Sequence, residues 1–149
     1  MGGYKWFEYM RSKNEIEFNE FCNKVINLDP SIRFAGIANE DGALESIAER
    51  KDLVPLLTPE ERAQYAITAA TRQYTRLRWE FMLGKIQYAS SKYERLIRAT
   101  IPITDENSTL SYVLLLSFDP EITNFHQIIT QKIIPFINEN KTKLSLLHR

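Results

Sequence analysis

Cysteine occurs once in the 149 residues, as Cys22, which excludes an intrachain disulfide framework and a cysteine-built zinc site. No apolar run approaches the roughly 20 residues a helix needs to cross a bilayer. Neither sign of charge is in excess. The 19 Lys/Arg and 19 Asp/Glu cancel, so the whole-molecule field gives no reason to expect nucleic acid or an anionic membrane as partner. Glycine is scarce, and none is placed as GxGxxG, a P-loop or GxSxG. The two histidines, His126 and His148, are equally uninformative: no Cys, Asp or Glu stands three or four residues from His126 to complete a metal pair. Ser90, Ser91, Ser108 and Ser111 have no local base to activate them. The start, Met-Gly-Gly-Tyr-Lys-Trp-Phe-Glu-Tyr-Met, has no uninterrupted apolar region, and Trp6 stands where a myristoylation signal needs Ser or Thr. These absences point away from an enzyme, a metal or a cofactor, and to a cytoplasmic location.

What is present describes one domain over 1–149: an aromatic extension at 1–13, a core at 14–140 and a polar tail at 141–149. A hydrophobic content of 44% suffices for a single core. Charge is segregated along the chain. Residues 1–61 hold seven basic and twelve acidic groups (7 − 12 = −5), residues 62–98 hold eight and two (8 − 2 = +6), and residues 99–149 hold four and five (4 − 5 = −1). The basic middle either faces the acidic first third within the chain or forms a docking face for an acidic or phosphate-bearing partner. Arginines interleaved with aromatics also occur in single-stranded nucleic-acid binders, but zero net charge and few glycines argue against a dedicated one.

The spacing predicts a first helix over 14–28, with Phe18, Phe21, Cys22, Val25 and Leu28 as its buried stripe and Asp29-Pro30 as its stop. Cys22 reads as a small core hydrophobe. Strands at 32–38 and 43–48 flank Asn39-Glu40-Asp41-Gly42, a tight-turn sequence, so this stretch reads as a hairpin. A long helix is predicted from Thr58 to Leu83. Thr58, Pro59 and Glu61 make a capping box, and Gly84 is the stop. Ala63, Ala66, Ile67, Ala70, Tyr74, Leu77 and Phe81 form its expected core face. Arg62, Tyr65, Arg72, Arg76, Arg78 and Trp79 stand opposite. Three strands follow, at 86–91, 95–103 and 110–118. The last carries no charge and is expected in the middle of the sheet with both faces covered. A final helix spans 124–140, kinked near Pro135. The order α-β-β-α-β-β-β-α with short strand links requires antiparallel pairing, an α+β fold with a five-stranded antiparallel sheet.

This order, with the hairpin sequence Arg33-Phe34-Ala35-Gly36-Ile37-Ala38-Asn39-Glu40-Asp41-Gly42 and the long central helix, resembles the roadblock fold, one of the profilin-like and longin-like domains. The chain is also similar in style to small archaeal proteins of that class. The resemblance implies a non-enzymatic homodimer or heterodimer that scaffolds or regulates, often with a small Ras-like GTPase. In such dimers the central helices pair, and the strand after them pairs with its mate. Carried over here, that interface is Thr58–Leu83 plus Ile86–Ser91, with Tyr65, Ala69, Arg72, Arg76, Trp79, Ile86 and Tyr88 as its contact residues. The other reading is a PAS-like small-ligand sensor, with a pocket between sheet and helix lined by Phe34, Tyr88, Arg98 and Tyr112.

Overall fold

The structure, a computed structural model, describes residues 2–148. Met1 of the expected extension and Arg149 of the expected tail lie outside the described residues. The first helix, α1 (Gly2–Ile26), is much longer than the 14–28 stripe indicated. Nothing between Gly3 and Asp29-Pro30 breaks a helix, so the chain stays helical through Tyr4, Trp6, Phe7 and Tyr9 although all four are exposed. Only its second half packs, through Phe18, Phe21, Cys22 and Val25. Cys22 is fully buried, and burial pushes its thiol up to about 12, against small opposing pulls from Ser46 and Ile37. That is the inert core cysteine the sequence indicates.

The hairpin forms as expected: β1 (Ile32–Asn39) and β2 (Leu44–Glu49) pair antiparallel around a turn with Gly42 at φ +87°. The Asn39 side chain accepts from the backbone N–H groups of Asp41 and Ala43 and holds the turn shut. After the linker come α2 (Pro59–Leu77), a one-turn α3 (Glu80–Leu83), β3 (Ala89–Lys92), β4 (Ile97–Thr104) and β5 (Leu110–Phe118). The sheet is five-stranded and antiparallel, in the order β2-β1-β5-β4-β3. β5 is the middle strand and all nine of its residues are buried, as its uncharged sequence requires.

Two layers of helix cover the sheet. On one face, Tyr112, Leu114, Leu116 and Phe118 of β5 meet α1 and the C-terminal helices. On the other, Val113 and Leu115 meet Ala66 and Ala69 of α2. The C-terminal segment is α4 (Phe125–Ile128), a π turn (Ile129–Ile133) and α5 (Ile134–Leu147). The π turn sits just before Pro135. Proline offers no N–H and its ring crowds the preceding turn, and a wider turn relieves both. The polar tail is helical to Leu147, not frayed. Leu144 is buried, Tyr112 Oη donates to the Leu144 carbonyl at 3.0 Å, and Lys143 pairs with Glu17 at 2.7 Å. Among the described residues no helix is long and apolar enough to cross a membrane.

Candidate interaction face

The capping box that opens α2 is complete. Thr58 Oγ1 accepts from the Glu61 N–H at 3.1 Å, and Glu61 Oε1 accepts from the Thr58 N–H at 2.9 Å. The helix then lies differently from its apolar pattern. Its buried residues are Ala66, Ala69, Ala70 and Gln73. Small side chains let it approach the sheet closely, and it settles over β1 and β5 on Ala66, Ala69, Ala70 and Gln73. Ile67 and Tyr74, expected in the core, are half exposed, and Ala63 is exposed. Gln73 is fully buried, and neither amide atom finds a partner.

The predicted single helix Thr58–Leu83 is in fact two pieces. α2 stops at Leu77, and Arg78 and Trp79 form a turn with Trp79 N–H donating to the Arg76 carbonyl. No residue of α3 is buried. Past Leu77 no residue of the helix unit is buried, so packing no longer holds it straight. The result is a projecting apolar end. Phe81 is 92% exposed and Leu83 81%, with Trp79 and Met82 beside them. Gly84, at φ +85°, turns the chain back toward the sheet.

One flank of α2 lies against the hairpin turn. A Cβ at Gly42 would come within 2.6 Å of the Ile67 Cα, so turn and helix backbones are in direct contact. The other flank carries Tyr65, Arg72 and Arg76 and overhangs β4 and β3. There the Arg98 guanidinium lies 3.7 Å from the Tyr65 ring centroid, a cation–π stack. Burial pushes the Tyr65 hydroxyl up, while Arg98, and then Arg72 and Arg76, pull it down. The chain does little to neutralise its basic middle. Arg62 pairs with Glu49, but Arg72, Arg76, Arg78, Arg95 and Arg98 make no ion pair among the described residues. The acidic groups go elsewhere. Asp119 holds Arg50 through two hydrogen bonds of 2.8 and 3.0 Å and Arg33 through one of 3.3 Å, tying the ends of β1, β2 and β5 together.

The seven residues expected at an interface therefore separate. Arg72, Arg76 and Trp79 reach the surface of the α2–α3 unit, and Tyr65 is half-buried beside them under Arg98. Ala69 is only 2% exposed and is covered by the sheet, which removes it from any surface of the folded chain. Ile86 and Tyr88 precede β3 instead of lying in it, because the strand begins only at Ala89. Tyr88 turns to the opposite face, packs on the core there, and places its Oη 2.5 Å from His126 Nδ1. The edge strand itself is exposed at Ser90, Ser91 and Lys92 and pairs on one side only, with β4. The exposed apolar residues that the sequence pattern did not place on this surface are Ile67, Tyr74, Phe81, Met82 and Leu83. Three consecutive apolar residues at 81–83 cannot all face one core, and that run was the available signal.

The four residues expected around a ligand pocket do not meet. Tyr112 faces α5 and Tyr88 faces His126, both on the far side of the sheet from α2. Phe34 and Arg98 do share a cleft with Leu53, Leu57, Tyr65 and Leu96, but its volume is about 60 Å³. Small-molecule pockets generally measure about 300–1,000 Å³.

No family model matches the chain, and no curated protein matches it. Solved structures do. "MglB with tetrameric arrangement" superposes with a TM-score of 0.67 at 14% identity, over 86% of this chain and 88% of that one. Myxococcus xanthus MglB gives 0.65 at 12%, over 91% and 92%. A Roadblock/LC7 domain from Streptomyces avermitilis gives 0.64 at 10%, over 85% and 97%. At such identities the likeness is one of fold. The chain has the roadblock-like α+β architecture that its element order indicates.

Proposed function

We propose that this chain is a non-enzymatic, self-associating regulatory module of the cytoplasm, whose second copy docks on α2, α3 and the open edge of β3, and which acts with a small GTPase. One observation carries the reading: an exposed apolar end, Trp79 to Leu83, is followed after five residues by a strand edge that pairs on one side only. An exposed apolar surface next to an unpaired edge is a liability for a monomer and a template for a symmetric pair. The likeness to MglB structures, one of them described as tetrameric, supports self-association. The GTPase is the partner class that roadblock resemblance implies.

The test is sedimentation equilibrium of the wild-type chain beside Phe81→Ser and Trp79→Ser. Both positions are exposed, so the fold should survive. Burying one such ring contributes about 1.5–3 kcal/mol, so each change should weaken self-association about tenfold or more. Unchanged association in both variants would remove α3 from the interface. The partner is tested by gel filtration with a purified Ras-like GTPase of the same organism in its GTP-analogue and GDP forms. Co-elution that depends on the nucleotide is expected, and none with either form would end that part of the proposal.

A further inference from the structure

The arginine flank of α2 does not lie on a filled surface. α2 packs over β1 and β5, so the part of the sheet formed by β4 and β3 on that face is left as a cleft. Its walls are Arg72 and Arg76, one turn apart on α2, and Arg98 and Thr100, two apart on β4 and hence on one face of the strand. Ser91 adds a hydroxyl from β3, where it pairs in register with Arg98. Ala89, which pairs with Thr100, keeps the remaining wall low. Arg72, Arg76 and Arg98 thus border one shallow, open cleft of about 20 Å³, where only the mouth has room for an anion; no carboxylate lines it, and none of the three has an ion pair among the described residues.

A second, independent feature marks the same place. Thr100 is 7% exposed, and its Oγ1 has no hydrogen-bond partner. A buried hydroxyl in a cationic cleft is a donor awaiting an acceptor, and leaving it unmade costs about 1–3 kcal/mol. Like charges gathered in a partly desolvated cleft repel, and an anion converts that repulsion into attraction. Planar guanidinium forks match the oxygens of a tetrahedral oxyanion, each offering two parallel N–H donors. A single carboxylate has too few oxygens to satisfy three forks and two hydroxyls together.

We propose that the cleft between α2 and the β3–β4 edge binds a phosphate-class oxyanion, held by Arg72, Arg76 and Arg98 with Ser91 and Thr100 as hydroxyl donors. The anion is either inorganic phosphate or the phosphoryl group of a small phosphate monoester. The cleft borders the α2 and β3 surface proposed for the second copy but uses no residue of α3, so a chain kept monomeric by Phe81→Ser still reads anion binding by itself.

The experiment is isothermal titration of the full chain with inorganic phosphate, with glycerol 3-phosphate and with acetate, at constant ionic strength in chloride. Saturable binding of phosphate or the monoester, with acetate at least about tenfold weaker, is expected, because a charge-assisted bond is worth about 1.5–3 kcal/mol. Tighter binding of the monoester identifies an esterified ligand, and tighter phosphate the free ion. Arg98→Gln and Arg72→Gln should each weaken binding about tenfold or more by the same reasoning. Arg72 is exposed, so its replacement leaves the fold intact even if loss of the Arg98–Tyr65 stack does not. No saturable heat with either phosphate compound, or wild-type affinity in Arg72→Gln, would overturn the proposal.

Discussion

Replacing Gly42 with alanine tests the placement of α2 most sharply, because two separate costs fall on one methyl group. Gly42 has φ +87°, a conformation that costs an L-residue about 1–2 kcal/mol. The added Cβ would also stand 2.6 Å from the Ile67 Cα and 3.1 Å from the Ala66 carbonyl oxygen. Both are backbone atoms of α2, so neither can swing away as a side-chain tip would. Either the turn or the helix must shift, and overpacking of this kind costs about 1–3 kcal/mol. The sum is about 2–5 kcal/mol. At about 2–4 °C per kcal/mol for a chain of this size, the midpoint should fall by about 4–20 °C. Gly84 is the internal control. It has nearly the same φ, +85°, but nothing lies within 4 Å of its would-be Cβ. With ψ 176° it lies in a region essentially reserved for glycine, so Gly84→Ala reads backbone strain, of a different size, without any clash against α2. Thermal unfolding by circular dichroism on both variants reads the difference. A loss at Gly42 of no more than the backbone cost of about 1–2 kcal/mol would mean that the hairpin turn does not touch α2, and the placement of the helix described above would be wrong.

Three other outcomes follow from the same packing. Gln73 is buried with both amide atoms unpaired, so Gln73→Met should raise stability by about 1 kcal/mol in chemical denaturation; a loss would show that the amide has a partner in solution. The Asp119 carboxyl is held below the ordinary carboxylate range first by its hydrogen bonds from Arg50, with Arg33 adding to the pull. Because the folded value is depressed, the pair's contribution is complete above the unfolded value near about 4 and is lost as pH falls through the lower folded value. Asp119→Asn should cost about 1 kcal/mol at pH 7, discounted for partial exposure, and should flatten the acid limb of the stability profile; an unchanged limb would contradict the link. Thr58→Ala removes the N-cap oxygen that accepts from Glu61 and should cost about 1 kcal/mol, read by the same denaturation curves, with no loss contradicting the capping box.

The elements were legible where local chemistry decided them. β5 occupies 110–118 as expected, because an uncharged nine-residue run has few alternatives to a covered central strand. The turn at Asn39–Gly42 and the cap at Thr58 are equally local. The candidate face was harder to read. Alanines appear on both sides of α2, so its apolar pattern did not fix the roll. What fixed it was the closeness with which Ala66, Ala69 and Ala70 let the helix approach the sheet, a tertiary matter. Gln73 went inward and Tyr74 outward against their polarity for the same reason. The arginine face was visible as a density of charge, but its meeting with Arg98 and Thr100 depends on strands more than 20 residues away in sequence. The length of α1 escaped notice because its first half has no buried stripe to announce it.

A self-associating module must cover the exposed end of its central helix unit in solution. Sedimentation equilibrium of the wild-type chain at micromolar concentration measures this directly. A mass of twice 17.4 kDa, or a higher even multiple, is the expected result. A mass of one chain that persists into the millimolar range would contradict it.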